Sequence, residues 1–164
     1  MTFIDHAPDR PGGGYGMLAA LLAATLAVGA IGGWATAGEI PGWYAGLAKP
    51  GFNPPNGVFA PVWTALYILM AVAAWRVGRI AGATSRPLLL FYVQLALNLA
   101  WSFIFFRAHA LGWALVEIGI LLAAIVATAW AFARRDRVAG LLLVPYIAWV
   151  CFASVLNAAV WRLN

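Results

Sequence analysis

Runs of about twenty apolar residues separated by polar breaks make up most of this chain. They occupy 17–37, 58–80, 87–106, 111–133 and 138–161. At ~1.5 Å per residue each is long enough to cross ~30 Å of hydrocarbon as a helix. The pattern predicts an all-α integral membrane protein, a bundle of five transmembrane helices. Residues 1–16 mix charge with a Pro/Gly run that no helix would hold, and they read as a flexible tail ahead of a single membrane domain at 17–164. The first run ends in Ala35-Thr36-Ala37, which mimics a signal-peptidase site. Its length and the two Asp of the leading tail favour an uncleaved span instead.

The breaks are unequal. Those around Gly82-Ala83-Thr84, His109 and Asp136 are short, so helices two to five are expected to run antiparallel to their sequence neighbours. The first break, residues 38–57, carries Pro41, Pro50, Pro54 and Pro55 together with Trp43, Tyr44 and Phe52, and cannot cross a membrane as a regular helix. Its length and aromatic content predict a long Pro-rich lid loop between helices one and two.

Composition removes the alternatives. With 65% hydrophobic and 9% charged residues among 164, and a mean hydropathy of +0.89, the chain can neither wet the surface of a soluble domain nor stay disordered. The net charge of +5 does not point to nucleic acid, because the basic residues fall in the breaks. With the N-terminus inside, Arg10, Arg76, Arg79, Arg86, Arg134, Arg135 and Arg137 are inside, whereas Lys49, Arg107 and Arg162 are outside. That asymmetry predicts N-in, C-out in an inner membrane; the sequence does not choose between inner and outer membrane. The single Cys151 excludes a disulfide framework, and His6 and His109 are too isolated to suggest a metal site.

Inside a bilayer the phase of a polar side chain is informative, because such a group needs a partner, a cavity or a ligand. Gln94, Asn98 and Trp101 share one face of helix three. Tyr146, Trp149, Ala153 and Asn157 do so on helix five, and Trp63, Tyr67, Met70 and Ala74 on helix two. Turned inward together, the three stripes would line a flat-walled pocket with the indole N–H groups of Trp63 and Trp149 among its donors. Asn and Gln in this setting serve equally as interhelical glue. Trp34, Trp75, Trp113, Trp130 and Trp161 read as an interfacial belt. Glu117 is the one carboxyl inside a span. It reads either as a proton or cation site or, as favoured here, as a partner for Arg107 and His109 across the short turn. Gly29 with Gly33, and Ala96 with Ala100, repeat a small-residue spacing suited to close helix packing or to a homodimer face.

A series of strings makes the chain more specific than that. Trp43-Tyr44 is followed by Leu47-Ala48-Lys49-Pro50 and Pro54-Pro55. Next come Phe59, Trp63-Thr64-Ala65-Leu66-Tyr67 and Ala74-Trp75-Arg76, and then Gln94-Leu95-Ala96-Leu97-Asn98 with Trp101-Ser102 and Phe105-Phe106. Val144-Pro145-Tyr146-Ile147-Ala148-Trp149 and Leu156-Asn157 complete it. In this order, from about Glu39 to the end, the chain resembles the translocator protein, or tryptophan-rich sensory protein, family (TspO/MBR). The resemblance implies a lidded five-helix bundle that binds porphyrins and other tetrapyrroles, and benzodiazepine-type or isoquinoline ligands, as sensor, scavenger or carrier. Trp63 and Trp149 match the family's pocket tryptophans, Tyr44 a lid residue and Asn98 a polar wall residue. With Trp43, Tyr67, Gln94, Trp101, Tyr146 and Asn157 they form the expected ligand-binding set. Porphyrin is expected as ligand, with no cofactor required. Light-dependent breakdown of protoporphyrin at Trp63 and Trp149 is the alternative activity, and transport of tetrapyrroles or sterols a second one. Of the family's sterol motif, Arg162 is present, but Ala158 and Ala159 stand where the Tyr is expected, so sterol recognition through it is not expected. The remaining expected partners are the lipid bilayer and a second copy of the chain.

Overall fold

A computed structural model describes residues 14–164, all of whose regular structure is helical. Helix α1 spans Tyr15–Ala37, α2 Phe59–Ala81, α3 Arg86–Ser102, α4 Leu111–Ala133, α5 Arg137–Leu141 and α6 Val144–Leu163. Five segments are long and apolar enough to cross a membrane: Tyr15–Ala37, Asn56–Ala81, Arg86–Arg107, Leu111–Ala133 and Arg137–Leu163. The expected spans are therefore present, with two corrections and one addition. Helix α1 takes in Tyr15 and Gly16, which the Pro/Gly run had assigned to the tail; residues 1–13 lie outside the described part. The fifth segment is two helices, because Pro145 at the start of α6 has no N–H to continue the bonding of the preceding turn. The addition is at the end of α3, where the chain widens into a π turn over Phe103–Arg107, with Ala108 N–H bonded to Phe103 O at 2.9 Å.

Helix α1 packs on α2 and α3, and α4 on α3 and α6. The buried face of α4 repeats at helical spacing through Ala114, Glu117, Ile118, Leu121, Ile125, Thr128 and Phe132. Its other faces, with Val116, Ile120 and Val126 about half exposed, suit contact with lipid. Trp34, Trp113, Trp130 and Trp161 are each more than half exposed, near helix ends, as a belt requires, whereas Trp75 packs partly against the core. Arg107, Arg79 and Arg134 lie over the rings of Trp34, Trp75 and Trp130, respectively, at 4.8–4.9 Å.

At the end remote from the lid, Asp136 does two jobs. Its Oδ1 accepts from the backbone N–H of Val138 and Ala139, capping α5, and its Oδ2 accepts from Arg76 Nε of α2 at 2.7 Å. Desolvation pushes this carboxyl up, but the Arg76 hydrogen bond and charge and the two backbone donors outweigh it, so its pKa lies below the ordinary Asp value. A carboxyl depressed on folding contributes stability above its unfolded pKa of about 3.9, and this contribution disappears as pH falls through the lower folded value. Acid titration of thermal stability should therefore show a loss below about pH 4 that is absent in Asp136→Asn. Asp136→Ala should in addition cost about 1 kcal/mol at neutral pH through the lost cap. Identical acid limbs in wild type and Asp136→Asn would refute the assignment.

Candidate functional site

The expected site residues sort into three connected groups. In the middle of the bundle, Asn98 Oδ1 accepts from Tyr67 O–H at 2.6 Å, and its Nδ2 donates to Tyr146 Oη at 3.0 Å. One amide thus joins α2, α3 and α6. The two phenol rings are 7% and 0% exposed, so both hydroxyls depend on that amide. Trp63 stacks on Tyr67 at 5.5 Å and meets Tyr146 edge-on at 6.0 Å, completing an aromatic wall. Gln94, one turn before Asn98 on α3, makes only a weak contact from Nε2 to Met70 Sδ at 3.9 Å, and its Oε1 is buried without a partner among the described residues.

Nearer the lid is a second bridge of the same design. Trp101 Nε1 donates to Asn157 Oδ1 at 3.2 Å, and Asn157 Nδ2 donates to the carbonyl of Leu111 at 3.0 Å, tying α3, α4 and α6 together. The glue reading therefore holds for Asn98 and Asn157. Trp149 turns to Phe59 at 5.8 Å and Phe152 at 5.6 Å. Unlike that of Trp101, the indole N–H groups of Trp63 and Trp149 have no hydrogen-bond acceptor among the described residues.

The third group is the lid. Glu39 and Pro41 introduce a π turn over Ile40–Tyr44, closed by Tyr44 N–H to Glu39 O at 2.9 Å. This turn delivers Trp43 and Tyr44 to the bundle end. Trp43 stacks on His109 with ring centroids 4.0 Å apart and planes 11° apart, and meets Phe105 edge-on. Tyr44 is buried between Phe105 and Phe106, donates to Asn53 Oδ1 at 3.0 Å and carries Lys49 Nζ 4.6 Å above its ring. Burial raises the pKa of its phenol, which the Asn53 bond only partly offsets. Further along the lid, Ala48 exchanges two 3.0 Å hydrogen bonds with the side-chain amide of Asn164, and Phe52 meets Phe152 edge-on. The lid is thereby tied to α3, to the α3–α4 turn and to α6.

Glu117 departs from expectation. Arg107 and His109, its expected partners, instead face Glu39, at 3.7 and 3.0 Å. His109 makes this possible by turning the α3–α4 connection at φ +52°, in the left-handed region. Sequence reasoning also passed over Phe105, Phe106, Asn53 and Phe152 as contact residues. The first two were visible as an aromatic doublet, but the π turn sets which way they face.

A long lid held over five apolar helices with Trp-rich interior faces narrows the comparison with known proteins. The TspO/MBR family profile matches residues 20–162. The chain belongs to the TspO/MBR family. It is 44% identical to the human "Translocator protein" over 77% of this chain and 78% of that protein. Similarity to the "Tryptophan-rich protein TspO" of Chlorobaculum tepidum is 43% identity over 90% and 95% of the two chains. For the "Tryptophan-rich sensory protein" of Cereibacter sphaeroides the figures are 41%, 74% and 77%. Like other TspO/MBR proteins, this one is an integral, multi-pass membrane protein.

Proposed function

We propose that this chain binds tetrapyrroles, porphyrins among them, between its lid and the aromatic wall of α2, α3 and α6, and acts through that binding as sensor, scavenger or carrier. The carrying observation is the contrast among its tryptophans. Trp101 donates its N–H to Asn157, whereas those of Trp63 and Trp149, beside flat aromatic surface, have no acceptor among the described residues. A large planar ligand with polar rim groups is met by stacking area and by a few fixed donors, and the Asn98 and Asn157 bridges hold the helices that present them. Membership of the TspO/MBR family supports a membrane ligand-binding role at a coarser level.

Titration of the purified protein with protoporphyrin should quench Trp emission saturably. Replacing Trp63 and Trp149 together by Phe keeps most of the ring area and removes both donors, so affinity should fall about tenfold or more, at ~0.5–1.5 kcal/mol per lost hydrogen bond. An unchanged affinity in the double variant would overturn the placement of the ligand. For the membrane, the distribution of arginines supports the lid on the outer side of an inner membrane, and labelling of lid and α2–α3 loop cysteines from either side tests it.

A further inference from the structure

Glu117 is 8% exposed, and both its carboxyl oxygens are fully buried with no hydrogen-bond partner among the described residues. Most buried polar groups are paired, because an unpaired one forfeits its hydration without return. The basic side chains near enough in sequence to have met it are engaged by Glu39. Its place in the fold is equally specific. On the buried face of α4 it lies between Ala114, part of the lid-side apolar cluster, and Ile118, part of the main core. Trp101, the residue that packs against both clusters, donates to Asn157 just there. The Asn157–Leu111 bond sets the register of antiparallel α4 and α6, and it puts Glu117 less than two turns from that bridge, on the side of Tyr146 and Asn98. A carboxyl without a donor among the described residues therefore lies between two interhelical bridges.

From this position we infer that Glu117 is the acceptor for an N–H donor of the bound ligand. The inference rests on the proposed tetrapyrrole site and deepens it: the aromatic wall of α2, α3 and α6 covers one face of the macrocycle, and Glu117 of α4 meets the inward-pointing core N–H groups from the other face, the direction from which they can be reached. The indole donors of Trp63 and Trp149 complement it by addressing acceptors on the ligand. Ligands of similar shape without an N–H are discriminated against, because they leave the carboxyl desolvated and unpaired.

The test compares protoporphyrin, which has ring N–H groups, with its nickel(II) complex, which has the same rim and none. Wild type should bind the free base about tenfold or more tightly than the nickel form, as fits a hydrogen bond to an ionisable group. Glu117→Leu, similar in size and without a polar atom, should bind the two forms equally, with its affinity for the nickel form within about twofold of wild type. Infrared difference spectra give a second readout: the carboxyl C=O stretch that disappears in Glu117→Leu should shift when free-base protoporphyrin is added and not when the nickel form is. Equal binding of both forms by wild type, or discrimination that survives in Glu117→Leu, overturns the role of Glu117 and leaves the tetrapyrrole reading standing. Failure of wild type to bind either form overturns that reading, and the Glu117 assignment with it.

Discussion

Asn98→Ala is expected to be the most destabilising single substitution among the proposed site residues, by about 3 kcal/mol. The amide is the only described partner of two buried phenols, Tyr67 and Tyr146, and it holds them from a third helix. Removing it leaves both hydroxyls desolvated, at ~1–3 kcal/mol each by soluble-protein measure. Interhelical hydrogen bonds in membranes average nearer ~0.6 and reach ~1.7 kcal/mol, so the two bonds alone contribute roughly 1–3. The cavity left by the side chain adds to this. Tyr67→Phe deletes one bond and keeps the ring under Trp63, so it should cost only about 1 kcal/mol. The double variant should be less destabilised than the sum of the two, because the singles break the same bond. Unfolding in mixed micelles, followed by near-ultraviolet circular dichroism, measures all three. If Asn98→Ala lay within about 0.5 kcal/mol of wild type, the amide would not be what holds α2, α3 and α6 in register.

How far residues can be read in advance depends on whether their physics is local. The five spans follow from length and hydropathy, since lipid exposes any backbone that is not helical. The facing of Tyr67, Asn98, Tyr146 and Asn157 follows from phase, because an amide in hydrocarbon must turn to a partner, and all four meet one. The break before Pro145 lay inside an unbroken apolar run, where hydropathy is silent and only the missing N–H speaks. The direction of Phe105 and Phe106 was not legible, because the π turn over Phe103–Arg107 inserts a residue and rotates everything after it. Glu117 failed for another reason. Its pairing with Arg107 and His109 was judged by nearness along the chain, but Glu39, 70 residues before His109, competes for both once the lid folds back. The lid's contacts share that character, since Ala48 meets Asn164 across 116 residues.

Gly29→Ala is expected to have the wrong sign for a helix substitution, and that sign is the test. Inside α1 an alanine should stabilise by ~1 kcal/mol over glycine through propensity alone. At Gly29, however, a Cβ would stand 2.6 Å from Cε2 and 2.8 Å from Cδ2 of Tyr67, well inside van der Waals contact with a rigid ring. The ring cannot retreat freely, because its hydroxyl is held 2.6 Å from Asn98 and its face lies against Trp63. Either α1 withdraws from α2 or Tyr67 moves, and overpacking of this kind costs ~1–3 kcal/mol. A net loss of about 1–2 kcal/mol is therefore expected, together with weaker binding of protoporphyrin, since a displaced Tyr67 carries Trp63 with it. At Gly33, one turn on and of the same sequence spacing, a Cβ would have nothing within 4 Å, so Gly33→Ala should be neutral or stabilising and leave binding unchanged. Opposite signs at the two glycines would make the α1–α2 contact part of the site's support, and equal signs would confine Gly29 to helix propensity. On this geometry the Gly29–Gly33 pair is not a uniform small-residue face: one glycine admits Tyr67, and the other faces outward.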